Sequence, residues 1–220
     1  MYLLVLSGII AGSAHVVTGP DHLAAVAPMV AEKPERGFFL GLRWGIGHGL
    51  GVLLLGGTGL LLKEYINVGI ISEYSEALVG WLLIAIGGWT LWKSRKVVVH
   101  SHEHVESKVE GMYHSHVHVH PPKDHNVKIV FGMGMLHGAA GTGHLLGVLP
   151  SLLLSQMDAV IYLGSYFCAA VISMASFGWL MSKLVSSTDG IQVWVRGFAI
   201  LAIIIGILWI WSSMGAVGTH

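Results

Sequence analysis

The sequence predicts an all-α integral membrane protein. Its six transmembrane helices are expected to form a 3+3 inverted repeat in which the first and fourth helices are broken. Two observations lead to this fold class. Of the 220 residues, 54% are apolar and only 11% are charged, a composition unlike that of a soluble domain. A polar motif near the N-terminus also returns in the second half of the chain, again inside an apolar stretch.

Six hydrophobic segments can be recognised, and most are long enough to cross about 30 Å of hydrocarbon. They are Tyr2 to Ala31, Phe38 to Leu62, Ala77 to Trp92, Ile129 to Leu154, Ala159 to Met181 and Val193 to Trp211. The motif lies in the first and the fourth segment, so each repeat has three spans. Because three is odd, the second repeat enters the membrane in the opposite sense. We expect a first repeat at 1–93, a His-rich loop at 94–127 and a second repeat at 128–220.

The two copies of the motif align without a gap at a constant offset of 122 residues. The matching pairs are His15 with His137, Gly19 with Gly141, His22 with His144, Leu23 with Leu145, Val26 with Val148 and Pro28 with Pro150. A histidine inside an apolar span needs a partner or a function. A duplicated pair of them is typical of a transporter whose binding site lies between two repeats.

The first copy contains His15, Asp21 and His22, three residues that can bind a metal ion. On a continuous helix the two histidines would lie about 10 Å apart, too far to share one ion at bond lengths of about 2.1 Å. Gly19-Pro20 is expected to break the helix, so that imidazole, carboxylate and backbone oxygen converge on one ion. The alternative is that these polar residues only hold helices together.

The second copy keeps both histidines but has Gly143 in place of Asp21, so we expect it to support the charged site of the first copy. His48 in the second span is flanked by glycines, which would let another helix pack closely. The alternative is that these glycines only pack helices together and that His48 binds no metal. The predicted intramembrane metal ligands are His15, Asp21, His22, His48, His137 and His144.

The third connection contains eight histidines between Val99 and Val127. We interpret it as a metal-buffering tract without regular structure, and a solvated linker or pH-sensitive patch is the alternative. Imidazole binds zinc, copper, nickel and cobalt in preference to magnesium or calcium. The histidines expected to buffer metal are His100, His102, His104, His114, His116, His118 and His120.

The charged residues suggest how the chain is placed in the membrane. Most lysines and arginines lie in or beside the first, third and fifth connections. By the positive-inside rule the His-rich loop is cytoplasmic and both termini lie outside a cell membrane, either inner or plasma. The 12 basic residues are balanced by 12 acidic ones, which argues against nucleic acid as a partner.

The segment His15-x-x-x-Gly19-x-Asp21-His22-Leu23 resembles the signature of the nickel/cobalt transporter group. Gly-Pro-Asp-His-Leu-Ala and Leu136-His137-Gly138 most resemble the urease-accessory (UreH-like) branch of that group. Five residues separate His15 from Asp21, as in the hydrogenase-accessory branch, although Val16 stands where that branch has proline.

This resemblance implies that His15, Asp21 and His22 bind the transported ion, with Ni²⁺ first and Co²⁺ second. It implies no permanent cofactor. The expected partners are the lipid bilayer, divalent metal ions and a metallochaperone or a urease or hydrogenase maturation protein; an oligomer is left open.

Common enzyme motifs such as His-Glu-x-x-His and Gly-x-Ser-x-Gly are missing from the sequence, and we expect no enzyme activity. A Walker A loop is missing as well, so transport would be secondary, without an ATPase of its own. Two alternatives stay open: a Zn²⁺ or Cu²⁺ exporter, and an intramembrane metal-dependent hydrolase with an open coordination position.

Deleting residues 99–122 should change the apparent metal affinity but leave substantial transport, because the tract lies outside the apolar spans. Metal flux in proteoliposomes would measure both quantities. Complete loss of flux in a correctly inserted protein would make the tract part of the transport pathway.

Overall fold

The computed structural model describes residues 1–62, 68–95, 99–105, 113–119, 127–140, 147–187 and 190–217. The helices in these ranges are α1 (Tyr2–Thr18), α2 (Pro20–Glu32), α3 (Gly37–Leu62), α4 (Val68–Ser94), α5 (Val127–Ala140), α6 (Gln156–Ser186) and α7 (Ile191–Val217). Short 3-10 turns lie at Pro34–Arg36 and Leu149–Leu153, and the strands β1 (Val99–Val105) and β2 (Tyr113–Val119) follow α4. Apart from these two strands, the regular structure of the described residues is helical, as predicted.

The first hydrophobic segment is divided at the predicted position. α1 ends at Thr18, Gly19 has φ −85° and ψ 98°, and α2 begins at Pro20. Proline is well suited to the first position of a helix and disfavours helical geometry at the residue before it. The chain bends by 67° between the two helices. A broken first helix is therefore confirmed.

Long apolar helices dominate the described residues. Four are long and apolar enough to cross a membrane, and the bent pair α1 and α2 makes a fifth if it is counted as one span. The four are Pro34–Leu54, Glu76–Ser94, Gln156–Ser186 and Ile191–Met214. Large apolar side chains such as Trp81, Ile172 and Ile204 are exposed on these helices, as suits contact with lipid. The chain is a multi-pass membrane protein.

The fourth predicted span, Ile129 to Leu154, is described only in part, because residues 141–146 lie outside the described ranges. α5 covers its beginning and has 14 residues. At 1.5 Å per residue this helix is about 21 Å long, which is short of the roughly 30 Å hydrocarbon core. Six spans and a broken fourth helix therefore remain predictions.

Glycines at the helix contacts show in which direction neighbouring helices run. α1 packs along α6, α3 packs along both α5 and α6, and α4 packs along α7. The glycine contacts are Gly8 with Tyr162 and Gly12 with Tyr166 (α1 and α6), Gly37 with Gly178 and Gly41 with Met174 (α3 and α6), Gly47 with Phe131 and Gly51 with Met135 (α3 and α5), and Gly80 with Gly206 and Gly87 with Ala199 (α4 and α7). If the residue numbers of both helices rise from the first contact to the second, the two helices are parallel; if one number rises and the other falls, they are antiparallel. The pairs α1–α6 and α3–α5 are parallel, whereas α3–α6 and α4–α7 are antiparallel.

The helices that carry the two motif copies run in opposite directions. α1 is parallel to α6, α6 is antiparallel to α3, and α3 is parallel to α5, so α1 and α5 are antiparallel. One close contact of each helix also corresponds in sequence position. Gly12 lies against Tyr166, and Gly134 lies against Trp44. Gly134 follows Gly12 by 122 positions, and Tyr166 follows Trp44 by the same number. This is the offset that relates the two copies of the motif.

The His-rich connection contains a hairpin, so the expectation of a tract without regular structure is wrong for these two segments. β1 and β2 pair antiparallel. The histidine partners in the Cα register are His100 with His118, His102 with His116 and His104 with His114. Histidine alternates with other residues there, and valine is among them. A repeat of two is the period of a β-strand, and valine favours strands.

Gly134→Ala should destabilise the bundle, whereas Gly132→Ala on the same helix should not. A Cβ at Gly134 would overlap the backbone of Trp44, while a Cβ at Gly132 would meet nothing within 4 Å. Overpacking costs about 1–3 kcal/mol, and alanine at an open helical position gains up to about 1 kcal/mol over glycine. Thermal unfolding of the purified protein in detergent measures both variants. Equal stabilities would contradict the close contact between α3 and α5.

Candidate metal centre

The break in the first span brings its polar residues together. The ring centroids of His15 and His22 are 4.7 Å apart, about half the separation expected on a continuous helix. His15 lies in the last turn of α1, and Asp21 lies in the first turn of α2. The carbonyls at the end of a helix favour cations, and the start of a helix favours a carboxylate. The local structure therefore follows the prediction for the first copy.

Gly19 is needed at the break for space. Its φ of −85° is open to any residue, so its backbone conformation does not require glycine. A Cβ at this position would overlap Nδ1 of His22 and would lie 2.9 Å from Oδ1 of Asp21. Only glycine leaves room for the His22 ring to fold back over the turn.

Three histidines converge through their Nε2 atoms. Nε2 of His48, on α3, is 3.3 Å from Nε2 of His15 and 3.3 Å from Nε2 of His22. A neutral imidazole has one donor and one acceptor nitrogen, so three nitrogens that face one another favour a shared cation. In a tetrahedral site with 2.1 Å bonds the ligand atoms are about 3.4 Å apart. The observed spacing suits three ligands of one metal ion.

A second group of ligands lies on the other side of His22. Oδ1 of Asp21 is 3.1 Å from Nδ1 of His22, and Oδ2 of Asp21 is 3.1 Å from Nε2 of His137. The ligand atoms of these three residues lie within 4.8 Å of one another, and the same holds for the three histidines of the first group. Two three-ligand groups thus share one imidazole ring.

α5 reaches this centre because glycines, which have no side chain, line the contact between α3 and α5. Gly47 and Gly51 lie against the backbone of α5, and a Cβ at Gly138 would overlap the backbone of His48. Small residues allow such a close approach between helices. The glycines around His48 therefore form a packing face, and His48 also belongs to the ligand cluster. The same contact carries His137 to the centre.

Four of the five residues of the centre are buried, and the fifth, His15, is partly buried. Asp21 is 5% exposed and His22 is 2% exposed. His48 and His137 are buried as well, whereas His15 is only partly buried. A buried carboxylate is destabilising by several kcal/mol unless it is compensated. Asp21 therefore needs its two histidine partners or a cation, and His15 marks the accessible side.

Five of the six predicted intramembrane ligands lie in this cluster: His15, Asp21, His22, His48 and His137. The sixth, His144, lies outside the described residues. Of the seven loop histidines, six occupy paired positions in the hairpin, and His120 also lies outside the described residues. Metal binding by either set remains a prediction.

Two aromatic residues at the centre were not among the predicted site residues. The ring of Trp44 is 5.6 Å from that of His137, and the ring of Tyr166 is 5.9 Å from that of His15. Within the described residues, neither the Trp44 Nε1 nor the Tyr166 hydroxyl has a hydrogen-bond partner. Trp44 stands one helical turn before His48, on the same helix face. Tyr166 lies 122 positions after Trp44, so the repeat offset would have pointed to it.

Known proteins of similar sequence include two from a plant and one from a bacterium. The chain is 28% identical over 174 residues to Chloroplast protein FOR GROWTH AND FERTILITY 1 of Arabidopsis thaliana, a match that covers 78% of this chain and 47% of that protein. It is 29% identical over 176 residues to FOR GROWTH AND FERTILITY 2 of the same plant, covering 78% and 45%. It is 29% identical over 184 residues to Urease accessory protein UreH of Bacillus sp. (strain TB-90), covering 79% and 74%.

The chain spans about half the length of the two Arabidopsis relatives. No protein-family model matches the sequence, and no solved structure matches it. The similarity to UreH supports the resemblance that the motif residues suggested. UreH is named as an accessory protein of urease, not as an enzyme itself.

Asp21→Asn should weaken Co²⁺ binding, because the amide keeps the shape of the carboxylate but loses the charge that faces His22 and His137. Removing a residue that only supports a metal ligand lowers affinity about 10- to 100-fold, so loss of a direct ligand should lower it at least tenfold. The measurement is a Co²⁺ titration followed by visible absorption. It uses the loop-serine chain, defined as the full-length chain with all eight histidines between Val99 and Val127 changed to serine.

Glu35→Gln is the matched control, because it removes one carboxylate charge from an exposed residue outside the centre. Equal Co²⁺ affinities of the Asp21→Asn and Glu35→Gln variants would exclude Asp21 from the ligands.

Proposed function

We propose that the chain is a membrane transporter of divalent transition-metal ions and that the centre binds the ion in transit. One observation carries the proposal: His15, Asp21, His22, His48 and His137 converge at the break of the first span, inside a bundle of apolar helices. Imidazole and carboxylate together suit divalent first-row metals. Broken membrane helices at the interface of two repeats are where secondary transporters bind their substrates.

Ni²⁺ is the proposed first substrate and Co²⁺ the second. The motif resemblance to the nickel/cobalt transporter group and the similarity to a protein named for urease accessory function support this order. The same ligands also bind Zn²⁺ and Cu²⁺, so export of those ions is the alternative. The metal ion is the substrate, and no permanent cofactor is proposed. A metallochaperone or a urease or hydrogenase maturation protein is the proposed protein partner.

The proposed architecture has six spans in a 3+3 inverted repeat, with repeats at 1–93 and 128–220 around the loop at 94–127. Two observations support it. α1 and α5 run antiparallel, and the offset of the motif also relates the Gly12–Tyr166 contact to the Gly134–Trp44 contact. His144 follows His137 in sequence as His22 follows His15, and it is the further ligand proposed for the second repeat, although it lies outside the described residues.

Transport in this proposal is secondary and uses alternating access, so the centre opens to each side in turn. The basic residues support a cytoplasmic loop and outer termini. A partly buried ion pair between Lys93 and Glu32, 2.5 Å long, joins α2 to α4 at the end of α2 away from the centre. Lys93 immediately precedes the proposed cytoplasmic loop. The ion pair thus holds the first repeat together on the side to which the ion would be released or from which it would enter.

Liposomes that contain the purified chain should transport Ni²⁺ and Co²⁺, and His22→Ala should abolish this flux because His22 belongs to both ligand groups. A metal-sensitive dye inside the vesicles measures each ion separately. Thr90→Val is the matched control, since Thr90 is 3% exposed and lies outside the centre.

Full transport by a well-inserted His22→Ala variant would contradict the proposed site. A preference for Zn²⁺ or Cu²⁺ over Ni²⁺ would correct the substrate and leave the transport function in place.

A further inference from the structure

We propose that the ion passes through two stations in turn, with the imidazole of His22 as the ligand common to both. This proposal rests on the proposed transport function and extends it. The open station consists of His15, His22 and His48, and the enclosed station consists of Asp21, His22 and His137.

The two stations use opposite nitrogens of the His22 ring. Nε2 faces His48 at 3.3 Å, and Nδ1 faces Oδ1 of Asp21 at 3.1 Å. The lone-pair directions of the two ring nitrogens diverge in the plane of the ring, so a single ion cannot bind both. The five side chains therefore form two adjoining sites and not one five-ligand site.

The stations are occupied one at a time. A neutral imidazole has a lone pair on one nitrogen and a proton on the other. With an ion in the open station, the His22 Nδ1–H donates to Asp21; with an ion in the enclosed station, the Nε2–H donates to His48. When the ion moves, Nδ1 gives its proton to a water molecule and Nε2 takes a proton from water, so the ring stays neutral and no net proton is gained or lost.

Burial and charge distinguish the two stations. The open station has three neutral ligands and includes the partly buried His15, whereas all three residues of the enclosed station are buried. The carboxylate of Asp21 adds one negative charge there. An ion that enters beside His15 can exchange its remaining water for that carboxylate, since electrostatic attraction is stronger in a buried site. His22 is a ligand before and after the transfer, but its bond to the ion changes from Nε2 to Nδ1 while the other ligands exchange.

Co²⁺ alone is the probe, because its visible absorption reports ligand number and type. In the loop-serine chain, His48→Leu removes the open station, His137→Leu removes the enclosed station and His22→Ala removes both. Alanine versions of the first two serve if leucine prevents folding, which gel filtration detects. Thr90→Val is again the matched control.

We expect the parent chain to bind one Co²⁺ ion. His48→Leu should still bind one ion with an affinity within about tenfold of the parent, because the charged enclosed station remains. His137→Leu should still bind one ion, about as weakly as Asp21→Asn, because only the open station remains. Their spectra should differ, and a weighted sum of the two should reproduce the parent spectrum. His22→Ala should bind at least about 100-fold more weakly. Both single-station variants should bind Co²⁺ yet lose at least about tenfold in flux, because transfer needs both stations.

Three results would overturn the two-station proposal while the transport function stands. The parent could bind two ions, either single-station variant could lose binding as fully as His22→Ala, or the two variant spectra could be identical. A folded parent that neither binds nor transports Co²⁺ or Ni²⁺ would overturn the transport function together with the stations.

Discussion

Compensation of the buried carboxylate of Asp21 is the constraint on which the rest of the structure depends. One carboxylate oxygen faces His22, which lies in the same half of the chain, and the other faces His137, which lies in the second half. The first contact requires α2 to begin immediately before Asp21, and hence the break at Gly19-Pro20. The second requires α5 to lie against α3, which glycines on both helices allow. The broken helix and the glycine contacts both serve one buried charge, whose cost without partners would be several kcal/mol.

The surroundings of the centre are nearly symmetric, but its chemistry is not. His15 with Tyr166 and His137 with Trp44 occupy equivalent places in the two halves. The carboxylate has no counterpart, because Gly143 stands at the position equivalent to Asp21. The one carboxylate of the centre therefore comes from the first half of the chain. An ion bound at the centre, as proposed, would meet different ligands on its two sides, and the two directions of passage would be chemically unequal.

The structural features that depend only on residues close together in the sequence could be predicted. Gly19-Pro20 acts locally, so the break and the meeting of His15 with His22 followed from it. The contact of Asp21 with His137 joins residues 116 positions apart and depends on how closely α5 packs on α3, which no local pattern specifies. The hairpin of β1 and β2 was not predicted, because the prediction for the His-rich tract rested on its composition. The alternation of its histidines has the period of a β-strand.

The glycine contacts between helices have a consequence for motion. Interlocked side chains must change rotamers before two helices can shift, and packed interfaces resist gradual deformation. Where Gly12 and Gly134 meet the backbones of α6 and α3, few side chains stand in the way. Sliding along such contacts therefore disturbs little packing and requires few side chains to change rotamer. These contacts therefore favour shear, in which the helices slide past one another and stay rigid.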